Sequence, residues 1–122
     1  MSKSIDDFIS SARGSVYRPD SWIPVRIDSV KYGTFYKILA SWYGGFAGSD
    51  WWKLSSGVES VTIIDDALVM PQVSGSLYIC SGPCHASSLI SNVLYSYQSD
   101  LEKSGIGAMT VITREELLEA FK

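Results

Sequence analysis

The chain is short of the side chains that most catalytic and metal chemistry uses. One histidine, His85, stands in 122 residues, together with two cysteines, Cys80 and Cys84. A lone imidazole excludes His-rich metal centres. Two thiols this close together cannot staple a secreted scaffold, which fits a reducing compartment. Charged residues make up only 19%. Lys and Arg form no cluster anywhere, so no groove that tracks phosphates is expected, and hence no direct nucleic-acid binding. Apolar runs fall short of the roughly 20 residues that a membrane-spanning helix needs, so no membrane role is expected. Near the N-terminus, Asp6 and Asp7 stand where a signal peptide requires an apolar stretch, and a cytoplasmic location is expected.

What is present points to one folded unit over residues 1–122. The hydrophobic fraction is 46% and the aromatic fraction 12%, with four Trp and seven Tyr. A disordered chain would be poor in these and rich in net charge. A chain of this size buries about two thirds of its unfolded surface, enough for a core without metal or disulfide support. The net charge of −3 is unevenly spread. Residues 1–61 carry seven basic and six acidic side chains, while residues 62–122 carry three and seven. The acidic half suits either a solvated helix face or a basic partner.

The spacing predicts a helix capped by Ser4, with Ile5, Phe8, Ile9 and Ala12 on one stripe and Gly14 closing it. Strand patterns follow. Ile23, Val25 and Ile27 alternate, and Tyr36, Ile38, Ala40 and Trp42 alternate after a Lys31-Tyr32-Gly33 turn, which reads as a hairpin. Residues 51–54, 58–64, 67–70 and 77–80 give further short strands. After Ser81-Gly82-Pro83, a long helix is expected from about Cys84 or His85 to a stop at Gly105. Residues 108–112 form a last strand, and Thr113 with Glu116 forms a capping box for a short helix. The predicted class is α+β: an antiparallel sheet of about five or six strands with an N-terminal helix, one long helix and a short C-terminal helix packed on it. The crossover from Cys80 through the long helix offers one parallel pair.

The sharpest chemical motif is Cys80-Ser81-Gly82-Pro83-Cys84-His85. A thiol at a helix start has its pKa lowered by the helix dipole, the setting of many nucleophilic cysteines. The base is the difficulty. Helical neighbours point about 100° apart, so Cys84 and His85 make a poor dyad. The plainer reading is two small, half-buried thiols and a surface histidine. The same residues supply at most three metal ligands, with no second pair to complete a zinc site. Ser81-Gly82-Pro83 has no nearby Lys or Arg to support an anion. The acidic pairs Asp65-Asp66 and Glu115-Glu116 are explained by a turn and a helix start. No enzyme activity, cofactor or metal is expected, with Cys84 and His85 kept as catalytic alternatives.

Surfaces are more informative. Tyr43, Phe46, Trp51 and Trp52 surround the glycine-rich stretch Gly44-Gly45-Phe46-Ala47-Gly48, and aromatics beside such loops are good contact anchors. Trp51 and Trp52 face opposite sides of a strand, so at least one lies outside the main core. The long helix carries Ser87, Ser88, Ser91, Asn92, Ser96, Gln98 and Ser99 on its polar face. A solvated helix would normally use Lys and Glu there. Ser88 and Asn92 therefore mark a second contact face, for a partner or a homodimer. Glu115, Glu116 and Glu119 give an acidic third surface.

Two stretches, Asp50-Trp51-Trp52-Lys53-Leu54-Ser55-Ser56-Gly57-Val58 and Ser74-Gly75-Ser76-Leu77-Tyr78-Ile79-Cys80, together resemble a family of small uncharacterised proteins of bacterial genomes, prophages and phages. The resemblance covers residues 35–97, and its motifs are structural. It implies a phage-type accessory protein, and hence a non-enzymatic interaction module that blocks a bacterial host protein or complex, including inhibitors of host defence of the anti-CRISPR kind. Its setting would be the host cytoplasm. A toxin-immunity partner and a small enzyme centred on Cys84 are the alternatives.

Overall fold

A computed structural model of the chain describes residues 3–44 and 49–122. Phe46 lies outside the described residues. The elements run α1 (Ile5–Ser11), β1 (Val16–Tyr17), β2 (Ser21–Ser29), β3 (Gly33–Trp42), β4 (Trp51–Leu54), β5 (Thr62–Ile64), β6 (Ala67–Pro71), β7 (Leu77–Cys80), α2 (Ser88–Ser104), β8 (Gly107–Val111) and α3 (Arg114–Ala120).

The α+β class and the three helices stand as the spacing predicts, but the strands divide into two four-stranded sheets. One has the order β1-β7-β6-β5 and the other β4-β3-β2-β8. Three packed clusters show how the layers stack. The first holds Trp22, Ile38, Ala40, Leu68, Met70, Tyr78 and Cys80 between the sheets. The second packs Ile23, Val25, Ile27, Leu39 and Met109 under Ile90, Val93, Leu94 and Leu101 of α2. The third packs Ala67, Val69, Leu77 and Ile79 under Ile5, Phe8 and Ile9 of α1. The order of layers is α1, sheet, sheet, α2. Strands β6 and β7 are apolar without alternation because both their faces are covered, one by α1 and one by the opposite sheet. α3 lies along the inter-sheet core with Leu117 fully buried and Phe121 edge-on to Tyr36 at 5.5 Å.

Several boundaries differ from expectation for local reasons. The α1 capping box forms through Ser4 and Asp7, yet the helix ends at Ala12 rather than Gly14. Gly14 serves close approach instead: a Cβ there would meet Ser76 Oγ at 3.0 Å and the Ser76 backbone nitrogen at 3.1 Å. The parallel pair is not made by the crossover through α2, because β7 and β8 belong to different sheets. It joins β7 to β1 (Val16↔Leu77, Tyr17↔Tyr78), a strand too short to show a period. Pro24 sits inside a central strand without breaking it. Its carbonyl accepts from Ile112 N at 3.1 Å, just past the end of β8, so its missing N–H falls where the β2–β8 ladder stops.

The expected strand over residues 58–64 is regular only from Thr62. The preceding stretch crosses from one sheet to the other, held by two buried polar side chains. Ser55 Oγ accepts from Ile38 N at 2.8 Å. Gln72, 1% exposed, accepts from Gly57 N at 3.2 Å and donates to Met70 O at 3.0 Å. Gln72→Leu keeps the volume and strands both backbone groups, so a loss of about 2–4 kcal/mol is expected in a urea titration. A change under about 0.5 kcal/mol would show that the crossover does not depend on this amide.

Tyr78 presents the opposite case. It is 1% exposed, and its hydroxyl has no hydrogen-bond partner among the described residues. Burial, and then the neighbouring Tyr17 and Cys80, push its ionisation far up. Removing an unsatisfied buried hydroxyl removes a desolvation cost, so Tyr78→Phe is expected to stabilise by about 1 kcal/mol, read as a higher denaturant midpoint. A lower midpoint would mean that the hydroxyl has a partner in solution.

Candidate functional site

Three of the residues singled out from sequence gather around β4, an edge strand. Trp51 pairs with Trp42 across the β3–β4 ladder, and their rings stack at 4.0 Å and 10°. The stack continues inward: Trp42 tilts on Tyr17 at 5.9 Å, and Tyr17 on Tyr78 at 5.0 Å. Four rings thus run from the surface to the inter-sheet core. The Trp42 indole nitrogen donates to Arg18 O at 2.9 Å, and Lys53 Nζ lies 5.5 Å from the Tyr17 ring. Trp52 points the other way and meets Tyr97 of α2 edge-on at 6.0 Å. Neither indole of the pair is buried; Trp51 is 43% exposed and Trp52 39%. Tyr43, 49% exposed, follows directly on β3. Asp20 accepts from Tyr43 N at 2.9 Å and Asp50 from Gly44 N at 3.0 Å, which fixes the chain where it leaves the strand.

The Cys84 motif is placed differently from expectation. α2 begins at Ser88 with Ser87 as its cap, so Cys84 lies outside the helix and gains nothing from its dipole. Residues 81–87 form an extended strap on β2. His85 N donates to Trp22 O at 3.1 Å, Ser21 Oγ to His85 O at 2.7 Å, the Trp22 indole to Ser81 O at 3.1 Å and Ser87 N to Ser21 Oγ at 3.0 Å. Proline at 83 and the glycine before it at φ 74° keep the strap from helical conformation.

Cys84 packs against the inter-sheet core. Burial pushes its thiol above the usual cysteine range, and Glu115 adds to the rise, while Arg114 opposes it. Cys80 is 1% exposed, and burial pushes it far higher. The His85 imidazole approaches the Tyr43 hydroxyl and Pro83 O, each at 3.4 Å, and hydrogen-bonds neither thiol among the described residues. A raised pKa leaves less thiolate at neutral pH than a free cysteine has. Alkylation of Cys84 by iodoacetamide is therefore expected to be slower than that of glutathione at pH 7. Its rate should still be climbing at pH values where a free thiol has levelled. Fast labelling at pH 7 would restore the nucleophile reading.

The strap also links surfaces that are far apart in sequence. An open groove of about 770 Å³ lies between it, the β5–β6 turn and the start of α3, lined by Cys84, His85, Arg114, Glu115 and Asp66 over Ile23 and Ile112. Through His85 this groove adjoins Tyr43 and the tryptophan corner. Tyr43, His85, Cys84 and Glu115 thus come together. Asp65 and Asp66 both have positive φ, 50° and 65°, as the two-residue turn between Ile64 and Ala67 requires. Arg114 supplies beside Gly82 and Pro83 the cation that the local sequence lacks.

Other singled-out residues stay apart. Glu119 lies with Glu116 beside Arg26 and Tyr36 on another flank of α3. Ser88 and Asn92 lie exposed on α2. Tyr95, 74% exposed, joins that face and escaped the sequence reading, although it follows Asn92 by three positions and Ser88 by seven.

No group of three or more His, Cys, Asp or Glu side chains that could hold a metal occurs among the described residues. No described helix is long and apolar enough to cross a membrane. No family model matches the chain, and no curated protein or solved structure is significantly similar to it.

Proposed function

We propose that the chain is a non-enzymatic interaction module that occludes a bacterial host protein, in the manner of a phage-encoded inhibitor of host defence, acting in the host cytoplasm. The observation that carries the interaction reading is the tryptophan corner. Two adjacent indoles on an edge strand are each about two-fifths exposed, and one is already stacked on a second tryptophan. Large exposed aromatics are costly to leave in water and are the commonest anchors of protein interfaces. Pre-stacking holds the ring before the partner arrives, so less side-chain freedom is lost on binding. The groove beside His85 extends the face, and Asp66, Arg114 and Glu115 give it a charged rim. The phage setting rests on the resemblance carried by residues 50–58 and 74–80.

The test is capture from a bacterial lysate on the immobilised chain, compared with Trp51→Ala, Trp52→Ala and Cys84→Ser. Retention of one defined host protein by the parent and by Cys84→Ser, with loss in a tryptophan variant, is the expected result. Equal retention by every variant would place the contact elsewhere, and loss confined to Cys84→Ser would favour thiol chemistry.

A further inference from the structure

The opposite end of the molecule holds a second groove, remote in sequence from β4 and the strap. It occupies about 420 Å³ between the β2–β3 turn, the C-terminal end of α2 and the turn into β8. Ile27, Phe35 and Leu101 form its apolar floor, and Val30, Tyr32 and Ile106 line it while standing 82%, 74% and 60% exposed. The groove is built rather than incidental. Ser29 Oγ accepts from Lys31 N at 3.2 Å and Tyr32 N at 3.0 Å, and Val30 N donates to Ile106 O at 3.0 Å, so both walls are tied by backbone. Gly105 turns the chain at φ 69°. At Gly107 a Cβ would lie 2.6 Å from Asp28 O, so only glycine admits this approach of β8 to β2.

The groove's own lining carries charge of one sign only. Among its described lining residues the only ionised side chain is Lys31, whose Nζ lies 5.2 Å from the Tyr32 ring. Lys37, outside the lining, has its Nζ 5.8 Å from the ring of Phe35. The nearest strand carboxylate, Asp28, is held by Arg26 at 3.0 Å and Thr34 at 2.8 Å. An apolar trough with one ammonium group, that of Lys31, beside its own Tyr32 ring is complementary to an unbranched apolar chain ending in an anion. Its volume lies within the roughly 300–1,000 Å³ of small-molecule sites.

We propose that this groove binds a medium-chain aliphatic carboxylate, with the chain over Phe35 and Leu101 and the carboxylate beside Lys31. The test is titration of the isotope-labelled full chain with sodium decanoate below its micelle concentration, followed by amide NMR. Saturable shifts confined to residues 27–35 and 101–107 are expected. Lys31→Glu should weaken binding about tenfold or more, because an attraction becomes a repulsion. Ile106→Asp should also weaken it, and, being exposed, should leave the remaining spectrum unchanged. Lys3→Glu, on the far side of the molecule, should bind as the parent does. Equal binding of decanol or of decyltrimethylammonium would overturn the role of Lys31. Absence of saturable shifts would overturn the site. So would association with phosphatidylglycerol vesicles without decanoate binding, which would make the patch a membrane contact. Dimerisation that decanoate does not dissolve would make a second copy the occupant.

Discussion

Trp22→Ala is expected to lower the stability of the chain by about 4–6 kcal/mol. Trp22 is 1% exposed and fills the space between the sheets beside Ile38, Leu68 and Tyr78. Truncating a buried tryptophan costs about 3–5 kcal/mol through lost transfer energy and the cavity left behind. The indole nitrogen also donates to Ser81 O, and losing that donor adds about 1 kcal/mol or more. Domains of this kind are stable by only about 5–15 kcal/mol, so a loss of this size takes a large share of the margin and should show as a much lower denaturant midpoint. Trp22→Phe separates the two contributions. It keeps most of the packing and loses the donor, and should cost about 1–3 kcal/mol in a denaturant titration. A Trp22→Ala midpoint equal to the parent's would show that the inter-sheet core is not organised around this ring. The consequence reaches the surface. The indole also tethers the strap at Ser81, so a variant that still folds should hold residues 81–84 more loosely, while the backbone bond from His85 to residue 22 and the Ser21 bonds remain.

The connection from Trp22 to the strap also marks the limit of what the sequence discloses. Local signals were legible where one short-range cause decides. Ser4 caps α1, and Thr113 has Glu116 three positions on and forms its capping box with it. Gly105 follows the last apolar position of α2 and adopts the left-handed conformation that ends it. The alternation of β3 places Ile38 and Ala40 on one face and Leu39 on the other, as the structure does. Long-range partnership was not legible. Alternation identifies a covered face without naming the cover, so two sheets read as one. β1 has two residues and no period. Spacing alone starts α2 too early because residues 84–87 carry no breaker after Pro83; they are held extended by β2, more than sixty positions earlier in the chain. For the same reason the assembly of Tyr43, His85, Cys84 and Glu115 around one edge could not be read from spacing. The tryptophan corner was legible as chemistry, since paired indoles beside glycines are conspicuous. Its pre-stacking on Trp42 was not, because that depends on the β3–β4 register.

That register fixes what the two tryptophan substitutions should do. Trp51 and Trp52 lie on opposite faces of the same four-residue strand, so each reports on one side of the proposed contact. Trp51→Ala removes a stacked ring at the edge of the inter-sheet core. An aromatic pair is worth about 0.5–1.5 kcal/mol beyond area, and with partial exposure the total stability loss should stay near 1–2 kcal/mol. Trp52→Ala removes an edge contact with Tyr97 and some cover over α2, with a loss of similar size. Both variants should therefore fold, which makes their binding interpretable. Against the partner, a central aromatic anchor is worth about 2–4 kcal/mol, a thirtyfold to thousandfold loss of affinity. The larger loss is expected for Trp51. Its ring is held by Trp42 before binding, whereas Trp52 rests on a single edge contact and loses more freedom when it is covered. Trp51→Phe should recover part of the affinity, because a smaller ring can still stack on Trp42. If Trp52→Ala proves the more damaging, the partner lies against the α2 side, where Tyr97, Ser96 and Asp100 border that indole, and the serine face of α2 becomes its continuation. If both variants bind within about threefold of the parent, the corner is no anchor and the interaction reading fails at its main support.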